Sequence, residues 1–300
     1  MKAQRIASVA LASALLAATG ASVEAQLPPH LRDYPLTSFH KSGDLVAPFF
    51  DGFYDNGDGT VTFSFGFLNR NTEELVDIPL GENNRIEPAQ FDGVQPTHFP
   101  VYDRGGLVGK RERGAFAVTV PANMAGTEVV WTLTHAGRTY SVPGRTGSIA
   151  YDMSTGPAAF GSLPPAVRFH SEGPESTNRE GVSAARVRAT VGTPVTLPAM
   201  VQDRGERAPY AADLDGKLVF PVGATWVLHQ GPAGARVLFS QEKSKVEAGE
   251  GWGMATTQAT FTVPGEYVIR LRADNFGAPD SKFDNQCCWS NAYVPVTVTP

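Results

Sequence analysis

The amino-acid sequence predicts an all-β protein: two β-sandwich domains in tandem behind a signal peptide. Three observations predict it. Charged residues make up only 18% of the chain, while 31 Gly and 23 Pro supply turns. Few charges and many turn-formers disfavour long helices and suit short strands. Apolar residues recur with period two in both halves, the spacing that lines one face of a strand. The first 26 residues carry the anatomy of an export signal.

Lys2 and Arg5 open the chain, an apolar run covers residues 6–18, and Val23-Glu24-Ala25 precedes Gln26. A positive start, a short apolar stretch and small residues at the cut make a secretory signal peptide over residues 1–25, too short to span a bilayer. No cysteine stands at the cut to carry a lipid. No later stretch reaches the ~20 apolar residues of a membrane helix. The mature chain is expected to begin at Gln26, to carry no integral membrane segment, and to be exported to the periplasm or the cell exterior.

The whole chain has 25 basic and 30 acidic residues, so loss of Lys2, Arg5 and Glu24 leaves 23 and 29, a formal net charge of −6. A nucleic-acid partner needs a basic stripe to neutralise phosphates, and none is present. Adsorption to anionic membranes is disfavoured for the same reason. The hydrophobic share of 42% is that of a globular protein. A mature length of about 275 residues allows two domains.

Residues 26–44 form an N-terminal extension. A first sandwich is expected over residues 45–142, with strands at 46–53, 60–68, 114–120, 128–135 and 139–142. The run Asp55-Asn56-Gly57-Asp58-Gly59-Thr60 has a calcium-loop flavour. An EF-hand, however, needs an oxygen ligand first and a closing bidentate Glu, and Tyr54 and Phe65 stand there. Between aromatic-rich alternating strands it reads as a hairpin turn. Residues 143–185 are rich in Gly, Pro, Ser and Glu and read as a linker or an ordered connection.

A second sandwich is expected over residues 186–300. Val191, Val195 and Leu197 mark its first strand; Trp226 and Leu228, then Val237 and Phe239, mark the next. Phe261 and Val263 precede Pro264-Gly265, and Tyr267, Ile269 and Leu271 share one face after it. An alternating AYVPVTVTP closes the chain. In the first half Phe116 to Pro121 leads through Gly126 into EVVWTLTH, so a hairpin is expected at both places.

The order Trp226, Gly231-Pro232, Val237-Leu238-Phe239-Ser240, FTVPGEYVIRLRAD and the closing VTVTP resembles bacterial PKD-type, immunoglobulin-like domains over about residues 186–299. That resemblance implies an Ig-like sandwich and leaves function open, because such modules serve as spacers, adhesion units and binding appendages. Val227-Leu228-His229-Gln230 follows Trp226 where many PKD domains carry a W-D-F-G-D-G-like signature. The first half resembles no characterised family.

Catalytic motifs are missing: no HExxH, no GxSxG, no phosphate loop and no dinucleotide fingerprint. Two S-x-x-K matches, Ser38 to Lys41 and Ser240 to Lys243, fall in a coil and a strand end, where Lys does not return to Ser. The six histidines are scattered singly, and His98 is the candidate acid or base among them. In an Ig-like sandwich the loops 202–218 and 274–290 emerge at one pole. Asp203, Asp213, Asp215, Asp274 and Asp280 there are candidate ligands for calcium, the one cofactor the sequence brings forward.

Cys287 and Cys288 are the only cysteines and are adjacent. In an oxidising compartment they are expected to close a vicinal disulfide that pins the last loop. An interchain disulfide and two buried thiols remain as alternatives. With Trp289, Asp274 and Asp284 they form the candidate ligand-binding pole, where ring and indole offer an apolar platform.

The function expected is surface binding, without catalysis, to a protein or carbohydrate in an envelope or extracellular assembly. A hydrolase or redox accessory using Asp51, Asp55, Asp92, His98 and Asp103 is the alternative, and a structural spacer the third.

Overall fold

A computed structural model describes residues 39–102, 111–153, 163–205, 220–247, 249, 251–275 and 289–300. The signal peptide, the extension up to residue 38, Asp103, Asp213, Asp215, Asp280, Asp284, Cys287 and Cys288 lie outside them. Among the described residues no helix is long and apolar enough to cross a membrane.

The chain is all-β. Its first half has β1 (Val46–Asp55), β2 (Val61–Asn69), β3 (Val76–Asp77), β4 (Asn84–Glu87), β5 (His98–Phe99), β6 (Arg111–Val120), β7 (Val129–His135) and β8 (Arg138–Gly144). β1-β2-β6 form one antiparallel sheet and β4-β7-β8 another, with β3 paired to β5 alone. The 55–60 run is the expected hairpin: Asp55 faces Val61, and Asp55 and Asp58 accept the Gly57 and Thr60 N–H groups at 2.9 Å each. Between the sheets lies an aromatic core. Phe65 stacks on Phe116 (5.2 Å, 13°), and Trp131 meets Phe116 edge-on (4.9 Å, 87°). Each buried ring contributes roughly 1.5–3 kcal/mol by leaving water.

The second half has β9 (Ala166–Arg168), β10 (Glu175–Ser176), β11 (Val182–Ser183), β12 (Val187–Thr190), β13 (Val195–Gln202), β14 (Val222–Gln230), β15 (Val237–Phe239), β16 (Lys243–Val246), β17 (Gly253–Phe261), β18 (Gly265–Asp274) and β19 (Trp289–Thr299). One sheet runs β10-β9-β13-β17-β15, the other β11-β19-β18-β14-β16, with β12 parallel to β19. β13–β17 in one layer and β14–β18–β19 in the other is the B–E and C–F–G pairing of an Ig-like sandwich. Two further marks agree. Trp226 is fully buried on β14, and the Tyr267 hydroxyl donates to the Val263 carbonyl at 2.7 Å, tying the strand to the corner before it. Ile269, two residues on, fills the place where antibody domains carry a cysteine, so packing substitutes for a disulfide.

The segment 143–185 supplies β9, β10 and β11 to the C-terminal sheets. The two expected hairpins at Pro121 and Pro264 are corrected. β6 pairs with β2 while β7 pairs with β4 and β8, and β17 and β18 likewise sit in opposite sheets. Each Val-Pro-to-Gly stretch arches from one layer to the other. Proline has no N–H for a ladder, and Pro121 and Pro264 fall beyond the last paired residues, Val120 and Phe261.

The two sandwiches stack. β2 is buried at eight of nine positions, on both faces. Its Phe63, Phe65 and Phe67 point into the aromatic core, while Thr62 and Ser64 on the other side are covered as well. Arg179 covers Ser64 there, and the neighbouring strand β6 meets β18 and β19 through Arg270 and Asn291.

Candidate functional site

The seam between the stacked sandwiches gathers the buried Glu112, Arg179 and Arg270. Two irregularities in the β1-β2-β6 sheet build it. The β1 register shifts between Phe50 and Gly52, leaving Asp51 as an extra residue; the β2–β6 register shifts between Phe65 and Phe67. Bulges of this kind re-aim side chains. Gly66 and Gly114 make room: a Cβ on Gly66 would sit 2.2 Å from the Glu112 carbonyl oxygen, and one on Gly114 2.5 Å from Trp289 Nε1. Gly114 also has φ +55°, which favours glycine.

Into that space β18 sends Arg270, whose guanidinium donates to Glu112 Oε1 at 2.6 Å and to the Gly114 and Ala115 carbonyls at 3.1 and 2.8 Å. Glu112 and Arg270 are 1% and 2% exposed. Arg272 lies 3.5 Å from both Glu112 and Asp274. Burial opposes its charge, but the two carboxylates outweigh burial and raise its pKa. Asp51 accepts from Arg111 and from the Gly114 N–H, at 2.6 Å each. Burial pushes the Asp51 carboxyl up and the Arg111 guanidinium down, so desolvation offsets much of that pair's attraction.

Arg179, 1% exposed, lies 3.5 Å over the Trp289 ring and donates to Ser64 Oγ at 3.2 Å. Asn291 donates to the Gly114 and Arg179 carbonyls at 2.9 Å each. At the other end of the seam the 93–97 loop meets the end of β14. His229 Nε2–H donates to Val94 O at 2.8 Å, and Gln230 Nε2 to the Gly93 and Gln95 carbonyls at 2.8 and 2.7 Å. Burial, aided by Arg270, depresses the His229 pKa to about 3, so it stays neutral.

His98 lies 2.6 Å from Asp77 Oδ1 through Nδ1, across the β3–β5 pair. Asp77 Oδ2 accepts the Gly234 N–H at 2.8 Å. Burial raises the Asp77 pKa, but the His98 and Gly234 hydrogen bonds outweigh it and leave it lowered. An ionised Asp77 fixes the proton on His98 Nδ1 and turns the other nitrogen away from itself. His98 lines a cavity of about 350 Å³ with Tyr102, Arg236, Glu242 and Lys243.

The expected site residues are placed as follows. Trp289 is 3% exposed, held between Arg179 and Gly114, and so serves the seam and presents no open platform. Asp203 clips its own loop, accepting from the Gly205 and Phe220 N–H groups at 3.0 and 3.2 Å. Asp274 packs over Gly223 beside Arg272. Among the described residues no three His, Cys, Asp or Glu side chains gather as metal ligands. Asp55 caps the hairpin turn, and Asp92 accepts from the Ile86 N–H and Gln95 at 2.8 and 2.6 Å. Sequence reasoning missed Glu112, Arg270, Arg272, Asp77 and Arg179. One signal was present: Arg270, Arg272 and Asp274 alternate on one face of an otherwise apolar strand.

No protein-family model matches the chain, and no curated protein matches it. Among solved structures it is similar to the D00-D0 domain of intimin: 12% identity, 84% of this chain and 100% of that chain, TM-score 0.26. The titin Ig tandem A164-A165 gives 13% identity, 85% and 99% coverage, and TM-score 0.21. WR4, a C. elegans MSP family member, gives 10%, 38% and 92%, and 0.24.

Proposed function

We propose that the mature chain is an exported, non-enzymatic protein that works by surface binding to a protein or carbohydrate. The observation that carries this reading is the employment of its buried charges. Glu112, Arg270, Arg272 and Arg179 are engaged in joining two sandwiches, while Asp51 ties β1 to β6 beside them, which yields a stiff double module with its chemistry turned inward. Stiff modules present loops and sheet faces in fixed relation, which lowers the entropic cost of binding. N-terminal sequencing of the exported protein should begin at Gln26. The purified mature chain should co-sediment saturably with cell envelopes; linear, unsaturable sedimentation would contradict the proposal.

The loop pole expected to bind calcium belongs to the same reading. Native mass spectrometry with and without a chelator tests it, and an unchanged metal-free mass removes calcium. Asp284→Asn must alter binding if the pole takes part, whereas Trp289 and Asp274 are committed to packing contacts.

A second reading has one observation in its favour, the Asp77–His98 pair beside a cavity. A histidine so oriented is equipped for general base work on a water molecule. Turnover of nitrophenyl esters, phosphates or glycosides that disappears in His98→Asn would establish it. The binding reading expects no turnover in either protein.

A further inference from the structure

On the seam near His229 lies a separate cavity of about 330 Å³, walled by both sandwiches. We propose that it binds a neutral saccharide unit. This goes beyond the binding reading by naming a site and a ligand class, and it rests on that reading.

Phe91 and Tyr293 line it and are each partly exposed, so apolar ring surface meets the cavity. Sugar C–H faces pack on such rings, and hydroxyls need donors and acceptors around the rim. Gln90, Gln230, Glu180 and Ser183 supply both from elements of both sandwiches. Neither Lys nor Arg is among the lining residues, so an anionic ligand finds no counter-charge. His229 in the floor stays neutral, its pKa held near 3 by burial. The walls are preformed: Gln230 and His229 are tied to the 93–97 loop, and Thr119 Oγ1 donates to Glu180 Oε2 at 2.6 Å. The volume lies at the lower end of the roughly 300–1,000 Å³ of small-molecule pockets, which suits one or two sugar rings.

The test is saturation-transfer NMR on the mature chain with maltose, cellobiose, lactose and N,N′-diacetylchitobiose, with choline as the cationic comparison. Transfer to at least one disaccharide is expected. Val94→Trp fills the mouth from a position 46% exposed, and Glu180→Gln alters one exposed acceptor. Each should weaken that disaccharide by about tenfold, the worth of roughly one good contact, with Tm unchanged. No transfer to any of the four at millimolar concentration overturns the proposal, as does binding indifferent to both variants or binding of choline alone. Saturable envelope binding would survive that failure, so the two readings fail separately.

Discussion

The two sandwiches bury their cores by different means. The N-terminal one is aromatic: Phe50, Phe63, Phe65, Phe67, Phe99, Phe116 and Trp131 fill it. In its β1-β2-β6 sheet the central strand β2 is buried almost throughout, on both faces. The C-terminal one is mainly aliphatic, with Ala199, Ala224, Ala255 and Ala259 letting its sheets close around Trp226 and Tyr267. β13 and β17 keep exposed residues at alternate positions. The difference teaches where the polar residues go. A sheet covered on one side can turn hydroxyls and charges to water. One covered on both must satisfy most of them internally. The Glu112–Arg270–Arg272 network pairs the Glu112 carboxylate and the Arg270 terminal nitrogens, leaving Arg270 Nε without a partner among the described residues.

The largest effect that can break this contrast comes from Glu112→Ala. It strands Arg270 in a buried site, and removing one partner of a buried pair costs roughly 3–5 kcal/mol. Urea unfolding should show that loss and should separate the two sandwiches into distinct transitions. A loss under 1 kcal/mol, the range of about 0–1 kcal/mol for exposed pairs, would mean that water reaches the seam.

Next comes pH. His229 has a native pKa near 3 against an ordinary 6.5. The unfolded chain therefore takes up a proton that the native chain refuses, and stability falls as pH drops from about 6.5 towards 3. His229→Gln keeps a donor for Val94 O without titrating. Its unfolding free energy from urea titration should fall less than that of the parent between pH 7 and pH 4, by an amount on the order of a few kcal/mol at most. An equal fall in both would remove His229 as the cause.

Gly114→Ala sharpens the contrast from the covered side. The new methyl meets the Trp289 indole in a backbone conformation that disfavours side chains. A cost of about 1–3 kcal/mol is expected in thermal or urea melts, whereas Gly126→Ala, also at positive φ but with open space around it, lacks the clash and should lose less. The smallest effect belongs to the C-terminal corner. Tyr267→Phe removes only the hydrogen bond to Val263 and should cost about 1 kcal/mol, with the seam intact.

Much of the fold was legible in the sequence. Val61, Phe63, Phe65 and Phe67 alternate in a way that only a strand explains, and Trp226 with Tyr267-x-Ile269 reads as an Ig-like layer pair. The stacking was not legible. Thr62, Ser64 and Gly66 are small and polar, so they look solvent-facing whether water or a second sheet covers them. Strand partners were equally hidden at Pro121 and Pro264, because a turn signal does not say whether the chain returns to the same layer. Of the site, His98 was visible as a lone histidine. Its partner Asp77 sits in a two-residue strand with no periodicity to announce it.

The most direct test of the central claim, that a buried polar seam fuses two sandwiches into one unit, is differential scanning calorimetry of the mature chain beside its Glu112→Ala variant. One transition with equal calorimetric and van't Hoff enthalpies, splitting in two in the variant, is the predicted result. Two independent transitions already present in the parent, and unmoved by the substitution, would contradict it.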